Sequence, residues 1–214
     1  MKSYKHLFDI CISEENRRKA IKQAKRTKRV RKMLKKRHMS DDELLCASYD
    51  WIMQYENAEH VPKVIHDGTA HKERVIIVPT LEELIVQHCV AKAMEEMFWH
   101  GMYQHSYASL PKRGAHKAKK VIEKWIETDP KNVKYVLKMD VHHFFDSIPH
   151  DILKAKLRKH IHDDMMLDLL FKIIDVSEMV VSNSSGFFTP RLTVRLPWGS
   201  VSTSSTFFPC CASP

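Results

Sequence analysis

The chain has 214 residues, 43% of them apolar, and a formal net charge of +9. This length supports one ordinary hydrophobic core, or one and a half domains, and no apolar stretch reaches the roughly eighteen residues of a membrane span or suits a signal peptide. The five cysteines form no C-x-x-C pair, which argues against a disulfide framework and a zinc ribbon and predicts a cytoplasmic protein.

The positive charge is concentrated at the N-terminus. Residues 1–40 carry fifteen Lys or Arg against three acids, for +12, and the remainder carries twenty against twenty-three, for −3. We predict one basic helix over about 14–37, with a thin apolar stripe formed by Ile21, Ala24, Val30, Met33 and Leu34. So polar a helix gains little from packing and suits a phosphate backbone. The alternative is a charged face that is merely solvated.

Two capping boxes mark the helices that follow. Ser40 with Glu43 predicts a helix over about 41–56, and Thr80 with Glu83 predicts a scaffold helix over about 80–98 without assigned chemistry. Between them, His71-Lys72-Glu73-Arg74-Val75-Ile76-Ile77-Val78-Pro79 predicts a basic strand over about 72–78. An exposed edge strand with charged residues is the alternative interpretation.

A basic loop then leads into another predicted helix, over about 114–127. Its sequence runs from Ser106 through Lys112-Arg113-Gly114 to Ala118. A glycine beside a helix start permits close backbone approach, and the free amides there attract phosphate. A basic loop on a basic protein explains the same residues without a ligand.

The segment Tyr135-Val136-Leu137 predicts a buried strand, over about 133–140, that ends at Asp140. A carboxylate at the end of a buried strand is costly unless it holds a cation such as magnesium. Alternatively, the aromatic residues that follow are core and Asp146-Ser147 caps a helix. Helices over about 150–160 and 163–175 follow, the latter starting at Asp163-Asp164, with a short strand possible at 179–181.

Four segments resemble the reverse transcriptases, particularly bacterial enzymes related to group II introns and retroelements. Lys138-Met139-Asp140-Val141-His142-His143-Phe144-Phe145-Asp146-Ser147-Ile148-Pro149-His150 is similar to the first palm motif of that family. The Ser106–Ala118 loop and Leu196-Pro197-Trp198-Gly199-Ser200-Val201-Ser202-Thr203 are also similar to family segments, although Arg195 stands where the family usually has glycine. The basic strand resembles part of the family's fingers, and the likeness covers about residues 70–203.

The resemblance implies an α+β fold, with helical fingers and a short basic β-hairpin leading into an incomplete polymerase palm sheet. It implies domains at 1–68 (basic N-terminal helical extension), 69–133 (fingers), 134–203 (partial palm) and 204–214 (unstructured or aberrant tail). It also implies an RNA-directed DNA polymerase that binds an RNA template, a DNA or RNA primer and deoxynucleoside triphosphates. The N-terminal helix would contact the template RNA.

The resemblance also implies the roles of individual residues. Asp140 would be a catalytic carboxylate that, with the carbonyl of Val141, holds Mg²⁺. The nucleotide would contact Lys72 and Arg74, with Phe145 as the steric gate against a 2′-hydroxyl. The nucleic acid would contact the following residues: Lys112, Arg113, Gly114, Pro197 and Gly199.

The family's Tyr-x-Asp-Asp turn does not occur in the sequence, where Asp-Asp is found at 41–42 and 163–164. Two-metal phosphoryl transfer needs further carboxylates, so we expect a fragment that is inactive alone, with a truncation or frameshift near residue 202. The alternative is a non-catalytic RNA-binding remnant. A metal hydrolase built on Asp140, His142 and His143 is a third, less favoured class. The sequence leaves open the oligomeric state and whether an intact relative serves an intron, a retroelement or antiviral defence.

Overall fold

The computed structural model describes residues 3–56, 63–67, 72–108, 110, 112–133, 135, 137–139, 141 and 148–182. These residues form a mostly helical protein with one short β-hairpin. The elements in chain order are α1 (Leu7–Ile12), α2 (Glu14–Ala24), α3 (Lys28–Arg37), α4 (Asp41–Met53), β1 (Lys63–Asp67), β2 (Lys72–Ile76), α5 (Leu81–Ala93), α6 (Glu95–Gly101), α7 (Ala115–Thr128), α8 (His150–His160) and α9 (Asp164–Ser182).

The described residues fall into two compact units. The first unit contains the described residues up to 97 and from 148 to 182, and the second contains those from 98 to 141. The second unit is therefore inserted between two chain segments of the first. The domain boundaries expected at residues 68, 133 and 203 are functional assignments and stay predictions.

Helix α5 is the central element of the first unit. It packs against α1, α2 and α4, and its buried residues lie on all sides of the helix: Leu81, Glu83, Ile85, Val86, Cys89, Val90, Ala91 and Ala93. The sequence predicted a single buried face, because a 3.6-residue pattern does not reveal how many helices surround it. The predicted helix over 80–98 divides at Met94 into α5 and α6.

Both predicted capping boxes are confirmed. In α4 the amide of Glu43 donates to Ser40 Oγ, and the Ser40 amide donates to Glu43 Oε2 at 2.8 Å. Thr80 and Glu83 make the same reciprocal pair at the start of α5. Each box satisfies two amides that have no partner within the helix, which stabilises the helix start by about 1 kcal/mol.

The single basic helix predicted over 14–37 is wrong in two respects. It is divided into α2 and α3 because Thr27 caps α3, accepting from the Val30 amide and donating to the Ala24 carbonyl. The expectation of little packing also fails, since Ile21, Ala24, Val30 and Leu34 are all buried in the core. The thin apolar stripe is thus sufficient to fix both basic helices to the protein.

Asp163 joins the two chain segments of the first unit. Its Oδ1 accepts from the Met166 amide at 3.1 Å, so it caps α9, and its Oδ2 accepts from the Phe8 amide at 2.8 Å in the first turn of α1. Next to it, Tyr4 and Ile161 form a parallel bridge. The prediction that Asp163-Asp164 starts a helix is confirmed, and the carboxylate caps a second helix as well.

The β-hairpin confirms the basic strand predicted over 72–78, which ends earlier, at Ile76. β1 and β2 pair antiparallel, with Ile65 opposite Arg74 and Asp67 opposite Lys72. Lys72 and Arg74 both belong to β2. The coarse fold class, helical with a short basic hairpin, is present.

The buried strand predicted over 133–140 is absent from the described residues of that segment. Tyr135 is 92% exposed and Leu137 is 73% exposed, and neither belongs to a strand. A strand needs a neighbouring strand to satisfy its backbone N–H and C=O groups. The described strands, β1 and β2, pair with each other and not with this segment. The short strand expected at 179–181 is also wrong, because these residues continue α9. The helices predicted over 114–127, 150–160 and 163–175 are confirmed as α7, α8 and α9.

None of the described helices is long and apolar enough to span a bilayer.

Candidate nucleic-acid interface

Helix α3 carries the densest positive charge in the described structure. Seven of its ten residues are Lys or Arg and none is acidic. Val30 and Leu34 are buried and hold the helix against the first unit. The seven cations lie exposed on the remaining surface: Lys28, Arg29, Arg31, Lys32, Lys35, Lys36 and Arg37. We call this surface the α3 ridge.

Two members of the α3 ridge contact the residues at the start of α5. Arg29 Nη2 donates to the Pro79 carbonyl at 2.7 Å, and Arg37 forms an ion pair with Glu82. Burial opposes ionisation of Glu82, but the hydrogen bond and charge of Arg37 lower its pKa below the usual value. The other five cations of the ridge form no ion pair with a described residue and are available for an anion.

Helix α2 contributes less positive charge to a possible anion-binding surface than its sequence suggests, because several of its cations have partners within the protein. Arg17 Nε donates to the Ile12 carbonyl at 2.9 Å, and its Nη1 donates to the Leu45 carbonyl and lies 3.3 Å from Ser48 Oγ. Arg17 therefore connects α2 to α4. Arg18 and Lys19 pair with glutamates one turn earlier in the helix. The charge that can bind a polyanion thus lies mainly on α3.

The predicted basic loop lies at the start of α7, where Arg113 has a structural role. Its Nη1 lies 3.2, 3.1 and 2.9 Å from the carbonyl oxygens of Tyr103, Gln104 and Ser106, and its guanidinium lies 5.8 Å from the centre of the Trp99 ring. These contacts hold the 103–106 loop against the start of α7. The role of Arg113 in nucleic-acid binding stays a prediction.

Lys112 and Gly114 adopt unusual backbone conformations beside Arg113. Lys112 has φ 58° and is exposed, and Gly114 has φ 142° at the N-cap of α7. A Cβ at residue 114 would meet no atom within 4 Å, so glycine is favoured there by its backbone angle and not by space. No side chain among the described residues caps α7, and the amides of a helix's first turn are the groups that attract a phosphate.

The sequence analysis missed an aromatic cluster in the second unit. The His105 ring lies 5.4 Å from the Tyr103 ring and 4.9 Å from the Trp125 ring, both in edge-on geometry. His105 Nδ1 lies 3.0 Å from the hydroxyl of Tyr107. The alternation Tyr103-x-His105-x-Tyr107 was a visible signal, but the approach of Trp125, twenty residues later, required the fold.

Most of the predicted catalytic and pocket-lining residues lie outside the described residues. This applies to Asp140, Phe145, Pro197 and Gly199. Val141 is described and is 59% exposed, but one carbonyl oxygen does not make a magnesium site. Within the described ranges no group of three or more His, Cys, Asp or Glu is placed to hold a metal ion.

The buried thiols of the first unit are not suited to catalysis. Burial raises the pKa of Cys11 far above its usual value, and burial raises that of Cys89 to about 12. A thiol reacts as its thiolate, so neither is a nucleophile near neutral pH. The described cysteines are Cys11, Cys46 and Cys89, and all three are free.

An open groove of about 330 Å³ lies among α1, α4 and α9 in the first unit, lined by Phe8, Ile52, Met53, Tyr55, Asp164, Met165, Asp168, Leu169 and Lys172. The Tyr55 hydroxyl is buried and has no hydrogen-bond partner among the described residues. Two carboxylates and one amine give the groove no excess of positive charge. It is therefore a poorer place for a polyanion than the α3 ridge.

No family model matches the chain. Among curated proteins, "Protein YkfC" of Escherichia coli (strain K12) is 27% identical over 111 residues, which are 51% of this chain and 29% of that protein. The chain thus spans less than a third of the length of this relative. That name states no activity, and the assignment of function depends on the residues themselves.

Proposed function

We propose that this chain is the template-binding part of an RNA-directed DNA polymerase, comprising the fingers and the beginning of the palm. The observation that carries the nucleic-acid part is the α3 ridge, where seven cations are fixed to a packed core without an acid in the helix. The polymerase part is supported by the resemblance of residues 138–150 to the first palm motif. An incomplete palm sheet belongs to the same proposal.

The α3 ridge suits a phosphate backbone for a physical reason. Seven like charges within about 15 Å of helix repel one another, and a polyanion relieves that repulsion while releasing its own counterions. The buried Val30 and Leu34 prevent the helix from turning its cations away. The ridge therefore presents a fixed surface, which lowers the ordering cost of binding.

The chemistry of the proposal is assigned residue by residue. Asp140 and the carbonyl of Val141 would hold Mg²⁺, which neutralises charge that develops on a transferred phosphoryl group. Lys72 and Arg74, both in β2, would contact the triphosphate, and Phe145 would exclude a 2′-hydroxyl. Lys112 and Gly114 would contact the template or primer backbone, together with Arg113, Pro197 and Gly199. Because the 214 residues contain no Tyr-x-Asp-Asp turn, we do not propose polymerisation by these residues alone.

The location that we propose is the cytoplasm. The free thiols of Cys11, Cys46 and Cys89 support a reducing compartment.

The α3 ridge is tested by RNA binding at several salt concentrations. Lys32, Lys35 and Lys36 changed together to Gln should make the slope of log affinity against log salt shallower by about 2 to 3. The matched control changes three exposed lysines elsewhere to Gln, at positions 5, 156 and 159. Equal slopes for the two triple variants would remove the ridge from the interface.

The polymerase assignment is tested by primer extension with a palm fragment supplied in trans. Incorporation of deoxynucleotides should appear with the added fragment and be abolished by Asp140→Asn, whereas Asp129→Asn at the end of α7 should leave it intact. If incorporation never appears, or if Asp140→Asn retains it, the chain is better described by the second candidate, a non-catalytic RNA-binding remnant. That candidate is favoured by the fact that the α3 ridge needs no metal.

A further inference from the structure

We infer that the aromatic cluster of the second unit is a base-stacking platform for single-stranded nucleic acid. The platform consists of Tyr103, His105, Tyr107 and Trp125, with Lys112, Lys117 and Lys124 as phosphate contacts. It deepens the proposed function, on which it rests for its ligand class, and it adds Tyr103, His105, Lys124 and Trp125, which lie outside the family-like segments.

The rings of the platform have surface left for a ligand. Tyr103 is 51% exposed and Trp125 is 46% exposed. Their interplanar angles with His105 are 70° and 76°, so each contact joins the edge of one ring to a face of the other. At least one flat face of each ring therefore lies outside the contact, and a base stacks on such a face.

The platform is held in place before any ligand arrives. Arg113 binds three carbonyls of the 103–106 loop through one nitrogen, and the bond between His105 and Tyr107 fixes the loop further along. A ligand that binds a preorganised loop pays less ordering entropy than one that must arrange it. Arg113 thus acts as a positioning residue.

The charges of α7 are arranged around Trp125 in a way that favours an anionic ligand. At 3.6 residues per turn, Lys117 and Lys124 lie about 80° and 100° from Trp125 on the same side of the helix, whereas Glu123 and Glu127 lie about 160° away. Both lysines are exposed. The acids are therefore directed to the opposite face, where Glu123 pairs with Lys119.

This combination selects single-stranded nucleic acid over the other polyanions. In a duplex the flat faces of the bases are covered by their neighbours, so exposed rings add little to its binding. An acidic peptide would use the lysines but would gain little from an exposed Trp and Tyr. Bases and phosphates alternating along one strand use both sets of residues.

The test measures binding of an eight-nucleotide oligouridine and of its oligothymidine counterpart to the full chain by fluorescence anisotropy. Trp125→Ala and Tyr103→Ala should each weaken binding by roughly 5- to 100-fold with an unchanged salt slope. Lys117→Gln with Lys124→Gln should instead make the slope shallower by about 2. Trp125→Phe, which keeps a ring, should retain most of the affinity even if Trp125→Ala perturbs folding.

The matched control is Ile122→Ala, since Ile122 is an exposed apolar residue on the same helix. Equal affinities for Trp125→Ala and Ile122→Ala would overturn the platform, and so would an equal loss on a duplex of the same length. Preference for either the ribo- or the deoxyribo-oligomer supports the platform and identifies its natural strand. The binding test measures no polymerisation, so its outcome does not depend on whether the palm is active. A negative binding result would likewise not decide the outcome of the primer-extension test.

Discussion

The two units of the molecule hold their apolar residues in different ways. In the first unit α1, α2, α4, α5 and α9 contribute to one buried core, whereas none of the described side chains from 98 to 141 is buried. The second unit is organised instead by ring contacts and by the bonds of Arg113. Packing therefore determines the stability of the first unit, whereas the second leaves most of its apolar and basic residues exposed or half-buried.

The largest difference in stability should appear when one isoleucine is replaced by alanine in each unit. Ile85 is fully buried in α5 and Ile122 is 48% exposed in α7. We expect Ile85→Ala to lower the free energy of unfolding by about 3 kcal/mol, because it leaves a cavity in a close-packed core. Ile122→Ala should cost less than about 1 kcal/mol. Urea denaturation followed by circular dichroism measures both, and similar losses would contradict the comparison.

A smaller loss of stability should follow from removing the carboxylate of Asp163, which caps two helices of the first unit. Asp163→Ala removes the acceptor of the amides of Phe8 and Met166, so we expect a loss of about 2 kcal/mol, twice that of an ordinary cap. Asp164→Ala, at the next position, should cost about 0.5 kcal/mol through the helix dipole alone. Thermal unfolding of the two variants measures both losses, and a loss of only about 1 kcal/mol for Asp163→Ala, as for an ordinary cap, would show that the second cap contributes nothing.

The smallest of the three effects concerns His88 in α5. Burial lowers its pKa from 6.5 to about 4, so the unfolded state binds a proton that the folded state excludes. The stability from the neutral imidazole is complete above pH 6.5 and is lost as the pH falls toward 4, by about 1 to 2 kcal/mol at pH 5.

Urea midpoints at pH 7.5 and pH 5 measure this contribution. His88→Leu should show a smaller decrease between the two pH values than the unmodified chain. His116→Leu, at an exposed position of α7, should show the full decrease. A full decrease in His88→Leu would assign the acid sensitivity to other groups.

The local parts of the fold were predictable from the sequence because their signals are local. The capping boxes at Ser40 and Thr80 located the starts of α4 and α5, and Asp163 located the start of α9. The division at Thr27 was missed because neither Gly nor Pro marks it. The burial around α5 was missed because it depends on three neighbouring helices.

The candidate interface was predictable in charge but not in detail. The excess of Lys and Arg in residues 1–40 predicted a basic surface, but the separation of Arg17, which bonds to backbone, from the exposed cations of α3 required the packing. Residue type alone likewise does not reveal that Arg113 holds a loop. Both arginines show that a cation predicted to bind phosphate can first be used within the protein.

The double cap at Asp163 has a consequence for synthesis on the ribosome. The hydrogen bond of the Phe8 amide requires a carboxylate that lies 155 positions further along the chain. Helix α1 also packs against α9. The nascent first unit therefore exposes part of its apolar surface until α9 leaves the exit tunnel, after the whole second unit has been translated. Slow translation of residues 98–163 would prolong that exposure, and chaperones that bind unfinished chains would have their longest opportunity in this interval.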